Sequence, residues 1–450
     1  DDRVRRPNAD EAVASLAGPL PEIGEGALSA LDDLVRASDG ALRSAGPRFF
    51  HWVIGGGTPA ALAADWWTSA IDQNAFAYDS SPIGTQAEEV ALGWLKDLFG
   101  LPPEWGGVLT SGATMANFTG LAAARRWWAQ RHGVDVDERG FAGLPPVPVL
   151  SSGFIHVSAT KALAMLGIGR GTVRLFAKDE TGALDIAALD AALRALGGAP
   201  AILIGNAGEV NAGHFDPLEA MADLAERYGA WLHVDGAFGL FARVAPGAAH
   251  HAAGVERAHS VIADGHKWLN VPYDSGFAFV RDGSLLSGPF AFSAAYLPQP
   301  GARPAFGMLG PEASRRARGL AVWATLRAYG RSGHRAMVER HLALAQRLAR
   351  AVDAAPDLER LAEVPLNIVC FRYRPPGLAD AALDDLNARL GAALLRDGRV
   401  YVGTTRYAGK VAFRPAIVNW RTSEGDVDLV VEVVRELGRR IAATEPAATG

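Results

Sequence analysis

Short apolar runs alternate with helical patterns between about residues 80 and 281. Runs of this length, bounded by turn residues, are typical of strands buried in a parallel sheet. The intervening segments are long enough for helices, which favours strand–helix–strand units. The alternation predicts an α/β fold with a doubly wound, mostly parallel sheet, whose first strands lie at 107–110, 148–151 and 201–204.

Two more apolar runs carry candidate chemistry at their ends. The run 231–235 ends on Asp235, and the run 260–264 leads into His266 and Lys267. Either charged residue alone is typical of a surface group, but ligands of open α/β sheets bind at the carboxyl ends of strands. A buried lysine can form a Schiff base, and an aspartate can keep a pyridinium nitrogen protonated. The ordered pair therefore predicts a pyridoxal phosphate (PLP) enzyme.

The patterns outside this region predict further parts of the chain. A helix is expected at 26–37, and a segment rich in Gly and Trp follows at 46–67. A long helical region is expected at 312–353, strands at 367–373 and 410–417, and a last helix at 424–442. We expect three parts: an N-terminal helical segment (1–75), for which the family resemblance described below implies a dimerisation role, a large cofactor-binding domain (76–325) and a small C-terminal α+β domain (326–450).

Composition excludes several classes of protein. The 450 residues carry a formal net charge of −5, without the clustered basic residues of a nucleic-acid-binding protein. One cysteine, Cys370, allows no intramolecular disulfide and fits a reducing compartment. No apolar run approaches the roughly 18 to 20 residues of a membrane span, and no signal peptide is expected. The chain starts without Met, which suggests trimming, and we expect a cytoplasmic enzyme without a metal.

The segment 263–276, Ala-Asp-Gly-His-Lys-Trp-Leu-Asn-Val-Pro-Tyr-Asp-Ser-Gly, resembles the lysine motif of PLP-dependent group II amino acid decarboxylases. The resemblance extends over roughly residues 47 to 425. It implies the fold-type I (aspartate aminotransferase-like) architecture, with a large domain and a small C-terminal α+β domain. It also implies a homodimer, in which the N-terminal part packs against the partner subunit and the small-molecule substrate is an amino acid. PLP is held on Lys267, and its ring nitrogen is paired with Asp235.

The resemblance implies roles for further residues. His156 matches the imidazole that stacks on the cofactor ring, and His266 the residue near the substrate carboxylate. The segment 206–213 matches a loop facing the cofactor, but Glu209 and Val210 stand where many relatives have threonines, which leaves Asn211 to supply a polar group. The other expected cofactor contacts are Gly112, Ala113 and Thr114 at the phosphate, together with Ala237 and Asp264.

Three positions bear on substrate and product. Trp52 and Phe76 match positions that wall the pocket of aromatic amino acid decarboxylases. Phe306, nine residues before Arg315, stands where decarboxylases keep a tyrosine in a catalytic loop at about 296–311. That tyrosine is thought to return a proton to Cα after CO2 leaves.

The expected activity is decarboxylation of an aromatic or bulky apolar L-amino acid to its amine, through a Lys267 aldimine and a quinonoid. The alternatives are decarboxylation with oxidative deamination to an aldehyde, and carbon–carbon lyase activity. The motif around Lys267 argues against transamination, and the intact Asp235, Lys267 and His156 argue against a scaffold without catalysis.

Overall fold

The computed structural model describes residues 3–293 and 303–443. The chain forms two compact units, one of Asp1–Ile54, Ala343–Glu363 and Ile368–Gly450, and one of Gly55–Leu342 and Val364–Asn367. We call them unit 1 and unit 2. The division into three parts expected from the sequence stays a prediction.

The elements are numbered in chain order. The strands are β1 Gly106–Thr110, β2 Val149–Ser151, β3 Val173–Leu175, β4 Ile202–Asn206, β5 Trp231–Asp235, β6 Ser260–Asp264, β7 Gly276–Val280, β8 Leu358–Arg360, β9 Phe371–Tyr373, β10 Thr404–Tyr407 and β11 Lys410–Phe413. The helices are α1 Ala9–Ala14, α2 Ala27–Ala37, α3 Pro59–Ile71, α4 Pro82–Phe99, α5 Ala113–Gln130, α6 Val136–Arg139, α7 Val157–Met165, α8 Ile186–Ala195, α9 Leu218–Tyr228, α10 Ser284–Phe290, α11 Gly319–Asp353, α12 Asp380–Asp397 and α13 Glu424–Ala442.

Unit 2 contains a seven-stranded sheet with the order β1-β7-β6-β5-β4-β2-β3. Strand β7 runs antiparallel to both of its neighbours, and the other pairs are parallel. Strands β4, β5 and β6 are buried along their whole length, as their short, mostly apolar runs predicted. The mostly parallel α/β sheet expected from the sequence is confirmed.

Helix α5 packs closely on the centre of this sheet, against β5, β6 and β7. Most of its buried residues are small, among them Ala116, Gly120 and Ala123. A Cβ at Gly120 would lie 2.9 Å from Cε1 of His233 on β5, so the absence of a side chain allows this approach. The start of α5 is thereby held at the carboxyl ends of β5 and β6.

Unit 1 contains the small α+β part. Its sheet has the order β10-β11-β9-β8 and is antiparallel throughout. Helix α12 packs against β11 and α13, and α13 begins with a capping box between Ser423 and Asp426. This arrangement confirms the small C-terminal α+β fold.

Three boundaries differ from the sequence expectation. Residues 312–318 are not helical, because Arg315 is drawn into a buried ion pair and Arg316 forms a backbone bridge with Asn74. The helical pattern therefore starts only at Gly319, and Gly330 interrupts it with φ +59°. Strand β9 covers only the end of 367–373, and β11 only the start of 410–417. None of the described helices combines the length and apolarity that a membrane crossing requires.

Candidate active site

Asp235 ends β5, where the parallel neighbours of that strand also end. Its carboxylate is buried and accepts hydrogen bonds from Asn117 Nδ2 at 2.9 Å and from the backbone N–H of Ala237 at 3.1 Å. Both oxygens are thus fixed by donors. The Asp235 carboxylate is therefore a buried hydrogen-bond acceptor held in one orientation, and such a group favours a cationic partner.

Lys267 follows β6 and lies beside a second buried carboxylate. Its Nζ is 3.1 Å from Oδ2 of Asp264 and 5.8 Å from the centre of the Phe238 ring. The other oxygen of Asp264 is buried without a hydrogen-bond partner among the described residues. An amine held between a carboxylate and an aromatic face can be positioned for Schiff-base chemistry.

His266 is fixed on both sides of its ring. Its Nδ1 accepts the backbone N–H of Ser275 at 3.2 Å, and its Nε2 is 3.5 Å from Oδ2 of Asp264. The ring of Tyr273 stacks on it, with centroids 4.1 Å apart. Burial lowers the pKa of His266, although the neighbouring Asp264 opposes this shift.

Gly112 turns the chain from β1 into α5 at φ +149°, with His266 beside it. A Cβ at Gly112 would lie 2.9 Å from Cε1 of His266 and 3.5 Å from Oδ1 of Asp264. No side chain caps the start of α5. The N–H groups of the first turn, at Ala113 and Thr114, and the helix dipole together favour an anion there.

His156 caps the start of α7 and is linked to Asp235 through other side chains. Its Nδ1 is 2.7 Å from Oγ of Ser158, and that hydroxyl accepts Nδ2 of Asn117 at 3.1 Å. Asn117 is the residue that also bonds Asp235. Asn117 and Ser158 are not among the site residues predicted from the sequence, although Asn117 lies one helical turn after Ala113 on α5.

The loop after β4 contains Asn211. Its backbone N–H donates to the buried carboxylate of Glu209 at 2.7 Å, and the N–H of Ala212 also donates to Glu209. Glu209 therefore stabilises its own loop, which explains a carboxylate at this position. Ala207 at the start of the loop donates its N–H to the carbonyl of Asp235 at 2.8 Å, so the loop adjoins the end of β5.

Phe76 and Phe306 lie next to a buried ion pair. Arg315 pairs with Glu88 through two hydrogen bonds of 2.8 and 2.9 Å. The Phe306 ring is 5.8 Å from the Arg315 guanidinium and only 3% exposed. Phe76 packs against Phe292, and its carbonyl accepts the N–H of Gly307 at 2.9 Å. The early part of the expected loop, 296–302, lies outside the described residues.

Trp52 belongs to unit 1 and is 58% exposed. Its ring lies 4.1 Å from that of His51, and its φ of +54° is unusual for a bulky residue. Its expected role in a substrate pocket stays a prediction.

Comparison with known proteins agrees with this arrangement. Residues 19–374 match the model of the pyridoxal-dependent decarboxylase conserved domain. The chain is 33% identical to L-2,4-diaminobutyrate decarboxylase of Rhizobium meliloti over 94% of its length and 84% of that protein. It is 29% identical to aromatic-L-amino-acid decarboxylase of Bacillus atrophaeus over 89% of its length and 83% of that protein. The crystal structure of Oryza sativa TDC with PLP and tryptamine superposes with a TM-score of 0.87 at 28% identity, covering 95% of this chain and 90% of that one.

The chain has the fold-type I architecture of PLP-dependent enzymes. It belongs to the pyridoxal-dependent decarboxylase family and is a PLP-dependent carboxy-lyase. The residues present fit this cofactor: an uncapped helix start suits the phosphate, a buried carboxylate suits the ring nitrogen, and an amine suits the aldehyde. The unpartnered oxygen of Asp264 also leaves room for a further donor.

Proposed function

We propose that the chain decarboxylates an L-amino acid at a site built from Lys267, Asp235 and His156. The observation that carries the proposal is the convergence of Lys267, Asp264, His266 and Gly112 at the ends of β1 and β6, next to Asp235 on β5. When bound, PLP supplies an electron-withdrawing ring that weakens a bond at the Cα of the amino acid.

Each residue of the site has a part in this proposal. Lys267 supplies the amine that attaches the cofactor, and Asp235 holds a proton on the ring nitrogen. The first turn of α5, from Gly112 to Thr114, binds the phosphate through N–H groups. His156 covers one face of the ring, and His266 directs the substrate carboxylate. Ala237, Asn211 and Asp264 line the same site.

The substrate we propose is aromatic or bulky and apolar. A relative named for aromatic L-amino acids and a solved relative with tryptamine support this class. Aromatic side chains also adjoin the proposed site: Tyr273 is exposed and stacked on His266, and Phe238 faces Lys267. The relative named for L-2,4-diaminobutyrate makes a cationic substrate the main competitor.

A second candidate activity, oxidative release of an aldehyde, is favoured by one observation. Phe306 has no acidic proton to return to Cα, and it stands at the position expected for the catalytic tyrosine. Its burial against Arg315 supports a structural part for this ring, however. We therefore propose simple decarboxylation as the main activity.

The test incubates the enzyme and PLP with each of the twenty amino acids under air. CO2, amine, aldehyde and peroxide are measured together. We expect CO2 and amine in equal amounts, with an aromatic substrate giving the highest kcat/KM. Transamination products, or a preference for 2,4-diaminobutyrate in a further assay, would contradict the proposal.

Lys267→Ala tests the attachment site. We expect turnover to fall below detection and the visible absorption of bound PLP to disappear. Lys178→Ala, at an exposed position on the surface of unit 2, is the control and should keep both. Undiminished activity of Lys267→Ala would exclude Lys267 as the attachment residue.

We further propose that two copies of the chain form a homodimer. The face of α2 with Leu28, Leu31 and Val35 is exposed in the single chain, at helical spacing. Trp66 and Trp67 on α3 are exposed as well. Large apolar surface of this kind is typical of a protein interface.

A further inference from the structure

We propose that Asn117 is a positioning residue that couples Asp235 to His156 and fixes which nitrogen of His156 carries the proton. Asn117 acts through Asp235 on one side and through Ser158 and His156 on the other. The inference rests on the proposed roles of Asp235 and His156.

The orientation of the Asn117 amide follows from Asp235. A carboxylate accepts hydrogen bonds, so the atom of Asn117 that lies 2.9 Å from Asp235 must be Nδ2. The carbonyl oxygen Oδ1 then faces Nε2 of His233 at 2.8 Å. Because Oδ1 only accepts, Nε2 of His233 must carry a hydrogen.

Ser260 and Trp231, on the other side of the His233 ring, support the same direction of hydrogen-bond donation. Burial lowers the pKa of His233 to about 4, so the ring is neutral near pH 7 and its Nδ1 is an acceptor. Oγ of Ser260 lies 2.7 Å from that Nδ1 and can donate its hydrogen there. Trp231 Nε1, which only donates, gives its hydrogen to the same Oγ at 3.0 Å. Each hydrogen bond in the series from Trp231 through Ser260 and His233 to Asn117 is therefore donated in the direction of Asp235.

The second N–H of Asn117 extends the chain to His156. It donates to Oγ of Ser158 at 3.1 Å, and the hydrogen of that hydroxyl can be donated to Nδ1 of His156 at 2.7 Å. The backbone N–H of Ser158 also points at that Nδ1, at 3.2 Å. A nitrogen that accepts two hydrogens carries none, so in neutral His156 the proton is on Nε2.

The Asn117 amide thus connects Asp235 and His156, the two residues proposed to act on the cofactor. Asn117 gives one hydrogen to the carboxylate that serves the ring nitrogen. It gives the other to the hydroxyl that sets the tautomer of the ring-stacking imidazole. The side chains of Asn117 and Ser158 are both buried. A buried donor or acceptor without a partner is costly in free energy, so the hydrogens of this pair are held in one defined direction.

The test uses holoenzyme labelled with ¹⁵N-histidine and, separately, holoenzyme loaded with ¹⁵N-labelled PLP. His156 is assigned from the signals missing in His156→Gln. Two variants are compared with the wild type. Asn117→Asp keeps the volume but replaces both N–H donors by an acceptor, and Ser158→Ala removes only the hydroxyl. The second variant keeps the test valid if the first does not fold.

In the wild type we expect a protonated Nε2 and an unprotonated Nδ1 on His156. In Ser158→Ala the population of the tautomer with the proton on Nδ1 should rise about tenfold, since one of the two donors to Nδ1 is lost. In Asn117→Asp the His156 signals should shift too, and the ring nitrogen of bound PLP should change its ¹⁵N signal. The dissociation constant of PLP should rise by about tenfold to hundredfold in Asn117→Asp. Unchanged His156 signals in both variants would overturn the inference.

Asn387→Asp is the matched control. Asn387 is a buried asparagine on α12 in unit 1, where its Nδ2 donates to the carbonyls of Tyr373 and Leu383 at 2.9 and 2.8 Å. This change should lower Tm but leave the His156 and PLP signals in place. If it shifts them as Asn117→Asp does, general destabilisation explains the effect and the inference is wrong.

The result also separates this inference from the proposed function. Loss of bound PLP in Lys267→Ala tests the attachment site independently of Asn117. If PLP is held by Lys267 while the variants leave His156 unchanged, only the inference fails. If PLP is not held by Lys267, the proposed function fails, whatever the tautomer of His156.

Discussion

At the scale of single residues, the surroundings of Asp235 are made by residues distant in sequence. Asn117 lies 118 residues before it, and Ala237 holds its other oxygen from the turn that follows β5. The carboxylate is therefore oriented before any ligand arrives. Preorganised acceptors of this kind avoid the cost of reorientation when charge develops on the ligand.

Asp235→Asn should leave PLP bound but slow turnover about a hundredfold or more. The amide cannot balance a positive ring nitrogen, and loss of one partner of a buried charge is costly. The measurement is kcat together with the absorption spectrum of bound PLP. Asp190→Asn, a partly exposed residue paired with Arg194, is the control and should change neither. A rate within about tenfold of the wild type, under about 1.4 kcal/mol, would argue against an Asp235–ring pair.

Phe306 decides between the two candidate activities. For a simple decarboxylase, we expect amine as the only product under air. Phe306→Tyr should then lower stability by about 1–3 kcal/mol, because the added hydroxyl enters a buried position beside Arg315. Products and the urea midpoint of unfolding are measured for both proteins.

The oxidative activity predicts different products. If the wild type releases aldehyde and peroxide, and Phe306→Tyr shifts the output to amine, the oxidative activity holds. Phe306→Leu is the control for packing, since it changes the ring without adding a hydroxyl. It should lower stability without moving the product ratio.

At the scale of elements, the sequence predicted the positions of the buried strands better than it predicted their directions. Runs such as 231–235 and 260–264 are mostly apolar because both faces of the sheet are covered, and the structure has β5 and β6 at those positions. The direction of β7 could not be read in the same way. An antiparallel neighbour depends on how the chain crosses the sheet, and the run 276–280 carries no sign of it.

Helical periodicity failed at 312–318 for a different reason. Arg315 and Arg316 fit a helical pattern by composition, but Arg315 is buried with Glu88 from α4. That partner lies 227 residues away, and a local pattern cannot anticipate it. The network through Asn117, Ser158 and His233 was missed for the same reason. The motif around Lys267 was found because its residues are adjacent in sequence.

The turn between β1 and α5 can be tested at Gly112. Gly112→Ala places a methyl group 2.9 Å from His266 at φ +149°, so the turn or the imidazole must move. We expect a loss of about 1–3 kcal/mol in the free energy of unfolding and weaker PLP binding. Gly93→Ala within α4 is the control, because a Cβ there meets nothing within 4 Å. That control should be neutral or stabilising by up to about 1 kcal/mol. PLP binding by Gly112→Ala as tight as in the wild type would argue against a phosphate site at this turn.

At the scale of the whole molecule, exposed apolar surface is concentrated near the start of the chain. Leu20, Ile23 and Leu28 are each at least 80% exposed, and α2 adds Leu31 and Val35 on one face. Each such side chain would gain about 1.5–3 kcal/mol if fully buried. A second copy of the chain is the partner we propose for this surface.

Sedimentation velocity tests that proposal. The wild type should sediment as a dimer of 47.4 kDa chains, and the double change Leu28→Glu and Leu31→Glu should shift it towards the monomer. Charged side chains on a buried apolar face are expensive, so the dissociation constant should rise by at least about a hundredfold. Leu175→Glu, an exposed leucine on the edge strand β3, is the control and should leave the dimer intact. If the wild type sediments as a monomer with full activity, the proposed dimer is wrong. The apolar face of α2 would then be exposed to water in the active protein.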